Sequence, residues 1–141
     1  MSEPSPRQFV DTNILIYAHD VSAGQKQARA RQLVEELWQS GMGCLSIQVL
    51  QEFYVNVTQK VARPLPVAEA AQIVADLSAW EVHCPRAEDV LEAIRLQERY
   101  QVAFWDAMVI ASASALGCQI LWSEDLNPGQ AYGQVQVLSP F

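Results

Sequence analysis

Cysteine is scarce in this chain of 141 residues: Cys44, Cys84 and Cys118 are odd in number, far apart and each beside an apolar segment. That pattern argues against a disulfide framework or a cysteine zinc site, and fits reduced core thiols in a cytoplasmic protein. Histidine is scarcer still. His19 and His83 have no Cys or His neighbour at metal-ligand spacing, so both read as structural, and the chain is left short of obvious general bases. Long apolar runs are missing as well. Polar residues interrupt them well short of the ~20 positions needed to cross a bilayer, so no membrane association is expected. Residues 1–7 carry no basic-then-apolar signal and read as a loose leader. Cations are outnumbered, with 9 Lys and Arg against 16 Asp and Glu, a net charge of −7 and a pI near 4.7. A protein that holds nucleic acid by charge alone is basic. The balance therefore argues against a passive nucleic-acid binder, but not against an enzyme that reaches phosphates through metal ions.

What the chain does have is apolar content. Half of it is hydrophobic and only 18% is charged, which argues against disorder and for one domain over residues 1–141. Phe9 and Val10 end a first strand, and Asp11-Thr12-Asn13 forms the turn into a helix over Ile14 to Ala18. Helical spacing of Ala30, Leu33, Val34 and Leu37 predicts a helix from Gln25 to Gln39, ended by Gly41-Met42-Gly43. Lys26, Arg29 and Arg31 give it a basic start, read as a solvated face, with RNA backbone contact as the alternative. Cys44-Leu45 is a second strand.

Ser46 is the expected N-cap of a helix to about Val61, with Leu50, Phe53, Val57 and Val61 inward. Gln48, Glu52 and Asn56 fall four apart and share its polar face. Pro64 and Pro66 lead into a helix over Val67 to Leu77 that buries Ala70, Ile73, Val74 and Leu77. Trp80 to Cys84 is a third strand. The next helix, Ala87 to Tyr100, is expected to turn Val90, Leu91, Ile94 and Leu96 inward and Glu92, Arg95 and Arg99 outward. The segment Phe104 to Ala115 is apolar or small nearly all round, so it reads as a buried helix with Asp106 as its one ionisable group. Gln119 to Trp122 and Val135 to Leu138 supply the last two strands, with a turn at Asn127-Pro128-Gly129 between them. Strands and helices alternate throughout, which implies a parallel sheet with helices on both faces.

In such a sheet Asp11 and Asp125 both follow apolar strands and so share its C-terminal edge, where ligands bind. Asp11 read alone is equally a simple helix cap. Asp106 opens the buried helix, where a carboxylate needs a hydrogen-bond donor or a cation. Glu52 lies on the helix after the second strand; read alone, it is a solvated surface acid. Three or four carboxylates at one edge, without a matching Lys or Arg, repel one another unless hard cations such as Mg²⁺ or Mn²⁺ intervene. Those ions bind phosphate oxygens and acidify water, so phosphodiester hydrolysis needs no His or Ser nucleophile.

Four short motifs stand in order: Phe-Val-Asp-Thr-Asn-Ile at Phe9 to Ile14, Gln-Glu-Phe at Gln51 to Phe53, Phe-Trp-Asp-Ala at Phe104 to Ala107, and Ser-Glu-Asp-Leu at Ser123 to Leu126. With them the chain resembles the PIN-domain ribonucleases, and especially VapC-type toxins of bacterial type II toxin–antitoxin pairs; the closing Ser-Pro-Phe is similar to the tail of one group of these. The resemblance implies a three-layer α/β sandwich with five short parallel strands in the order 3-2-1-4-5. It implies that Asp11 and Asp106 are the principal metal-binding aspartates, with Glu52 and Asp125 as the other site acids and further candidate ligands. Asn13 matches the residue that orients the first Asp, Thr12 lies in the same motif, and Ser123 stands where many relatives carry Thr. Glu124 is expected to be peripheral. The resemblance also implies a Mg²⁺- or Mn²⁺-dependent endoribonuclease acting on RNA, a homodimer, and an antitoxin whose C-terminal segment covers the acidic groove.

Other readings compete. A haloacid-dehalogenase-type phosphatase needs a second Asp two residues after the first, where Asn13 stands. A response-regulator receiver needs paired acids after the first strand and a Lys after the last, neither of which is evident. An RNA-processing PIN nuclease outside a toxin pair shares every motif. A catalytically silent RNA-binding module would lack a site acid, and all four are present.

Overall fold

A computed structural model describes residues 6–141. The leader expected at residues 1–7 falls mainly outside them. Its last residue is fastened: Arg7 donates through Nη1 to the Leu116 carbonyl at 2.9 Å, and its own carbonyl accepts from Gln119 at 3.1 Å.

Strands β1 (Gln8–Val10), β2 (Gly43–Ser46), β3 (Glu81–His83), β4 (Ile120–Trp122), β5 (Ala131–Tyr132) and β6 (Val135–Leu138) form one sheet in the order β3-β2-β1-β4-β6-β5. The first five strands in that order run parallel. They are the five expected strands in the expected order, with β6 as the fifth. The correction is one of count. A two-residue β5 folds back antiparallel onto β6 through Tyr132↔Val135, making six strands. Two residues are too short to show periodicity, and the burial of Tyr132 against the core anchors them.

The helices are α1 (Thr12–His19), α2 (Gln25–Ser40), α3 (Ile47–Gln59), α4 (Val67–Leu77), α5 (Ala87–Tyr100) and α6 (Phe104–Ala115). The path β1-β2-β3 runs one way across the sheet, and β4 then returns to the other side of β1. Right-handed crossovers therefore put α1 to α4 on one face and α5 with α6 on the other. The reversal leaves a crevice between the C-terminal ends of β1 and β4. The sheet is filled from both sides, and Phe9, Leu45, Leu121 and Val137 on four strands are completely buried.

One glycine is required by packing. A Cβ at Gly43 would lie 2.5 Å from the Trp80 ring, which itself meets Trp38 edge to face at 5.4 Å.

Several expected orientations are corrected. On α5 the buried residue is Ala93, while Val90, Leu91 and Ile94 are exposed and Leu96 is half-buried. Ala93 packs with Ala107, Met108 and Ala111 of α6, and the three alanines let the two backbones approach closely. The larger residues one turn aside are left outside. The α6 helix is buried from Ala107 to Ala113, but its first turn is not, and Trp105 is 65% exposed. Cys44 and Cys118 are core thiols as expected; Cys84 is exposed, because it follows the edge strand β3. The third helix stops at Gln59, so Val61 lies beyond it and is half-buried. On α4, Ala70 and Leu77 are buried, with Ile73 and Val74 half-buried against the core. No helix among the described residues is long and apolar enough to cross a membrane.

Candidate active site

The β1–α1 turn presents Asp11. It caps α1, its Oδ1 accepting from the Thr12 N–H at 2.7 Å, while its own N–H donates to the Trp122 carbonyl at 2.9 Å. The second carboxylate oxygen accepts from the Ser123 hydroxyl at 2.8 Å. Ser123 is completely buried at the end of β4, and its Oγ also accepts from the backbone N–H groups of Asp125 (3.1 Å) and Leu126 (3.4 Å). One hydroxyl thus ties the first acid to the backbone that carries the last. The cap reading of Asp11 is correct and incomplete, since a cap needs only one of its oxygens.

Asp106 is half-buried in the first turn of α6. Glu52 projects from α3, where Gln48 one turn earlier donates through Nε2 to its Oε1 at 2.7 Å and to the Trp105 carbonyl at 3.2 Å. That amide joins α3 to the start of α6 and orients Glu52. Sequence reasoning put Gln48 on the right face and missed this role; the four-residue spacing to Glu52 was the available signal.

Electrostatics links the four acids. Burial, and after it Asp125 and Asp106, push the Asp11 carboxyl up to about 7, against the lowering effect of its Ser123 and Thr12 hydrogen bonds. The Asp106 carboxyl is also raised, by burial first, then by Asp125 and then by Glu52. The acids feel one another, and no Lys or Arg is among the groups that act on Asp11 or Asp106. A nearby cation, Lys26, is taken by Glu124, to which its ammonium is ion-paired while lying about 5 Å over the Tyr17 and Phe141 rings. Lys26 and then Tyr17 lower the Glu124 carboxyl, whose Oε1 is engaged by that ion pair. Lys26 is therefore more than the solvated residue expected of it.

Two polar atoms here have no protein partner: Asn13 Nδ2 and Thr12 Oγ1 are buried without one. Asn13 instead uses its Oδ1, which accepts weakly from the Glu124 N–H at 3.4 Å. The histidines are structural in geometry. His19 meets the Leu15 carbonyl at 3.0 Å and the Phe53 ring edge-on. His83 lies between Ser112 Oγ (2.8 Å) and Asp89 (3.5 Å), a serine–histidine–acid chain whose serine is completely buried inside α6 and out of reach of any substrate.

Among the described residues, no three His, Cys, Asp or Glu side chains are gathered tightly enough to ligate one ion by themselves. Mg²⁺ does not need such a cage: it binds through one or two carboxylates and fills its octahedron with water and phosphate oxygens. An uncompensated set of acids, with Asp11 and Asp106 raised in proton affinity, fits that mode.

No curated protein matches the chain in sequence. Among solved structures, a toxin–antitoxin complex from Klebsiella pneumoniae superposes with a TM-score of 0.70 at 19% identity, covering 95% of this chain and 98% of that one. The DNA-bound VapBC of Salmonella typhimurium gives 0.67 at 15% identity, covering 97% and 100%. VapC20 of Mycobacterium tuberculosis, a sarcin–ricin loop cleaving toxin, gives 0.61 at 20%, covering 81% and 86%. At such identities these likenesses carry the fold alone. The PIN domain model matches residues 9–132, from the strand before Asp11 to the buried Tyr132, and the chain belongs to the PIN domain family.

Proposed function

We propose that the chain is a divalent-metal-dependent endoribonuclease, acting in the cytoplasm as the toxin of a VapBC-like type II toxin–antitoxin pair. The observation that carries the reading is the acid set itself, in which Asp11 and Asp106 are raised by burial first and then by neighbouring acids, with no cation to offset them. Asp11 and Asp106 would hold Mg²⁺ or Mn²⁺, with Glu52 or Asp125 as further ligands. When bound, such an ion supplies Lewis acidity toward phosphate oxygens and toward the leaving oxygen.

The protein's own part is orientation. Ser123 and the Thr12 N–H fix both oxygens of Asp11, and the same Ser123 anchors the backbone of Asp125. Gln48 holds Glu52 toward the first turn of α6. Asn13 leaves an N–H free at the same turn, a donor suited to a phosphate or water oxygen.

Support for the toxin role comes from the similar structures, one a toxin–antitoxin complex, one a DNA-bound VapBC and one a sarcin–ricin loop cleaving toxin. An acidic groove is also a natural target for an Arg or Lys of an antitoxin. A homodimer is part of the same reading, and the apolar row Val90, Leu91 and Ile94 on α5 gives it a surface.

The test is cleavage of a mixed RNA pool by the purified chain with Mg²⁺, Mn²⁺ or EDTA, beside Asp11→Ala and Asp106→Ala. Metal-dependent cleavage lost in both variants is expected. Full activity in either variant would sink the assignment of the acids, and no cleavage by the folded wild type with any metal would favour a silent binding module.

A further inference from the structure

Trp105 is the most exposed large apolar side chain among the described residues, and it directly precedes Asp106. Its exposure has a local cause. Phe104 meets the indole edge to face, with centroids 5.1 Å apart and planes at 77°, and α6 turns its small residues to α5, so the indole stays outside. A surface cavity of about 350 Å³ lies beside it, lined by Gln48, Gln51, Glu52 and Trp105.

Gln48 supplies an independent observation. Its Nε2 is spent on Glu52 and the Trp105 carbonyl, while its Oε1 is buried with no hydrogen-bond partner. The carboxylate of Glu52 can only accept, so the amide must present its N–H there, and the unpartnered atom must be the acceptor. A buried acceptor left unmatched costs free energy that a ligand N–H can recover.

We propose that Trp105, Gln48 and Gln51 form a nucleobase subsite that holds the nucleotide flanking the scissile phosphate of single-stranded RNA. The inference rests on the ribonuclease reading above. The indole offers a stacking face, as aromatic side chains do for unpaired bases. The Gln48 Oε1 takes an N–H from the base edge, such as an exocyclic amine or a ring imide. No Lys or Arg lines the cavity and Glu52 does, so it repels a phosphate and suits an uncharged planar group. Position argues the same way. The cavity shares Glu52 with the acid set, so a strand whose phosphate reaches the acids has the indole within reach of a neighbouring nucleotide.

The experiment uses a mixed-sequence oligoribonucleotide that the wild type cleaves, and copies of it with a single abasic position moved along the strand. Affinity is read by fluorescence anisotropy with Ca²⁺ in place of Mg²⁺ and Asp11 kept, so that the acids can still hold an ion, with Trp105 intact, Trp105→Ala or Trp105→Phe. Trp105→Ala should weaken binding of the intact strand by roughly 5- to 150-fold, the usual worth of one stacked base, with Trp105→Phe losing less. One abasic position next to the cleavage site should cause a similar loss with Trp105 intact and no further loss in Trp105→Ala. Equal weakening of intact and abasic strands by Trp105→Ala would overturn the subsite. So would unchanged RNA affinity, the result expected if a protein partner covers the indole instead. If the wild type neither binds nor cleaves RNA, the ribonuclease reading falls with it; cleavage that survives while the Trp105 effect is absent removes the subsite alone.

Discussion

Replacing Asp11 with Asn removes one negative charge from a buried site, and the consequence for stability follows from proton linkage. Asp11 has an ordinary pKa of 3.8 and is pushed up to about 7 in the folded chain. Between those values the folded protein holds a proton that the unfolded chain has released. Stability therefore falls as pH rises from about 4 to about 7, by up to ~1.4 kcal/mol per pH unit and about 4 kcal/mol in all. The Asn variant is uncharged throughout and escapes that fall. It keeps the acceptor for the Thr12 N–H but sets an NH₂ group against Ser123 Oγ, which already accepts from Asp125 and Leu126. The lost hydrogen bond costs about 1–3 kcal/mol at every pH. In EDTA, then, Asp11→Asn should be the less stable protein at pH 4 and the more stable at pH 8, with the curves crossing between. His19, whose proton affinity burial lowers, weakens the fold as pH falls through its unfolded value, but both proteins carry it and the difference between them isolates Asp11. Urea unfolding followed by circular dichroism at several pH values measures this. Parallel curves for the two proteins from pH 4 to 8 would refute the linkage.

Mg²⁺ added at pH 8 should raise the wild-type unfolding midpoint and leave Asp11→Asn nearly unmoved, since an ion that binds only the folded state stabilises by about 1.4 kcal/mol per tenfold excess over its Kd. Ser123→Ala should lower stability by about 1–3 kcal/mol by stranding Asp11 Oδ2 and two N–H groups, and should cut the cleavage rate because two site acids lose their common tether. Denaturant titration and a turnover assay read the two effects separately. Gly43→Ala should destabilise by about 1–3 kcal/mol, because its Cβ meets the Trp80 ring at 2.5 Å, while cleavage by the remaining folded protein stays normal. Asp106→Asn should abolish cleavage and leave the thermal midpoint within a few degrees of wild type or above it, as a half-buried charge that burial and Asp125 disfavour is removed.

The sheet was legible where its strands are apolar runs bounded by turn residues. The strand order came from the family resemblance, and Val67 to Leu77, Ala87 to Tyr100 and Val135 to Leu138 are found with their expected ends. The α5 face was not legible, because large apolar residues were given precedence over Ala93. Close helix packing inverts that choice, since it selects for small side chains. The exposed Trp105 was hidden by the same assumption, that an apolar helix is buried along its whole length. Of the candidate site, Asp11, Asp106 and Asp125 could be placed by strand ends and a helix start, and Glu52 by the polar face of α3. The groups that orient them are contacts across the fold, such as Gln48 to the Trp105 carbonyl, and spacing along the chain does not encode those. The Ser123–Asp11 bond joins residues 112 apart.

That separation sets a timetable for synthesis. The central strand β1 carries Asp11 near the beginning of the chain, yet its β4 neighbour and the Ser123 tether belong to residues 120–125. Until that late segment leaves the ribosome, β1 has an open flank and Asp11 lacks one of its two ligating donors. The contacts that complete the crevice are among the least local in the molecule, the kind whose loop-closure cost makes folding slow. A nascent chain therefore carries Asp11, Glu52 and Asp106 before it holds the serine that ties Asp11 to the backbone of Asp125.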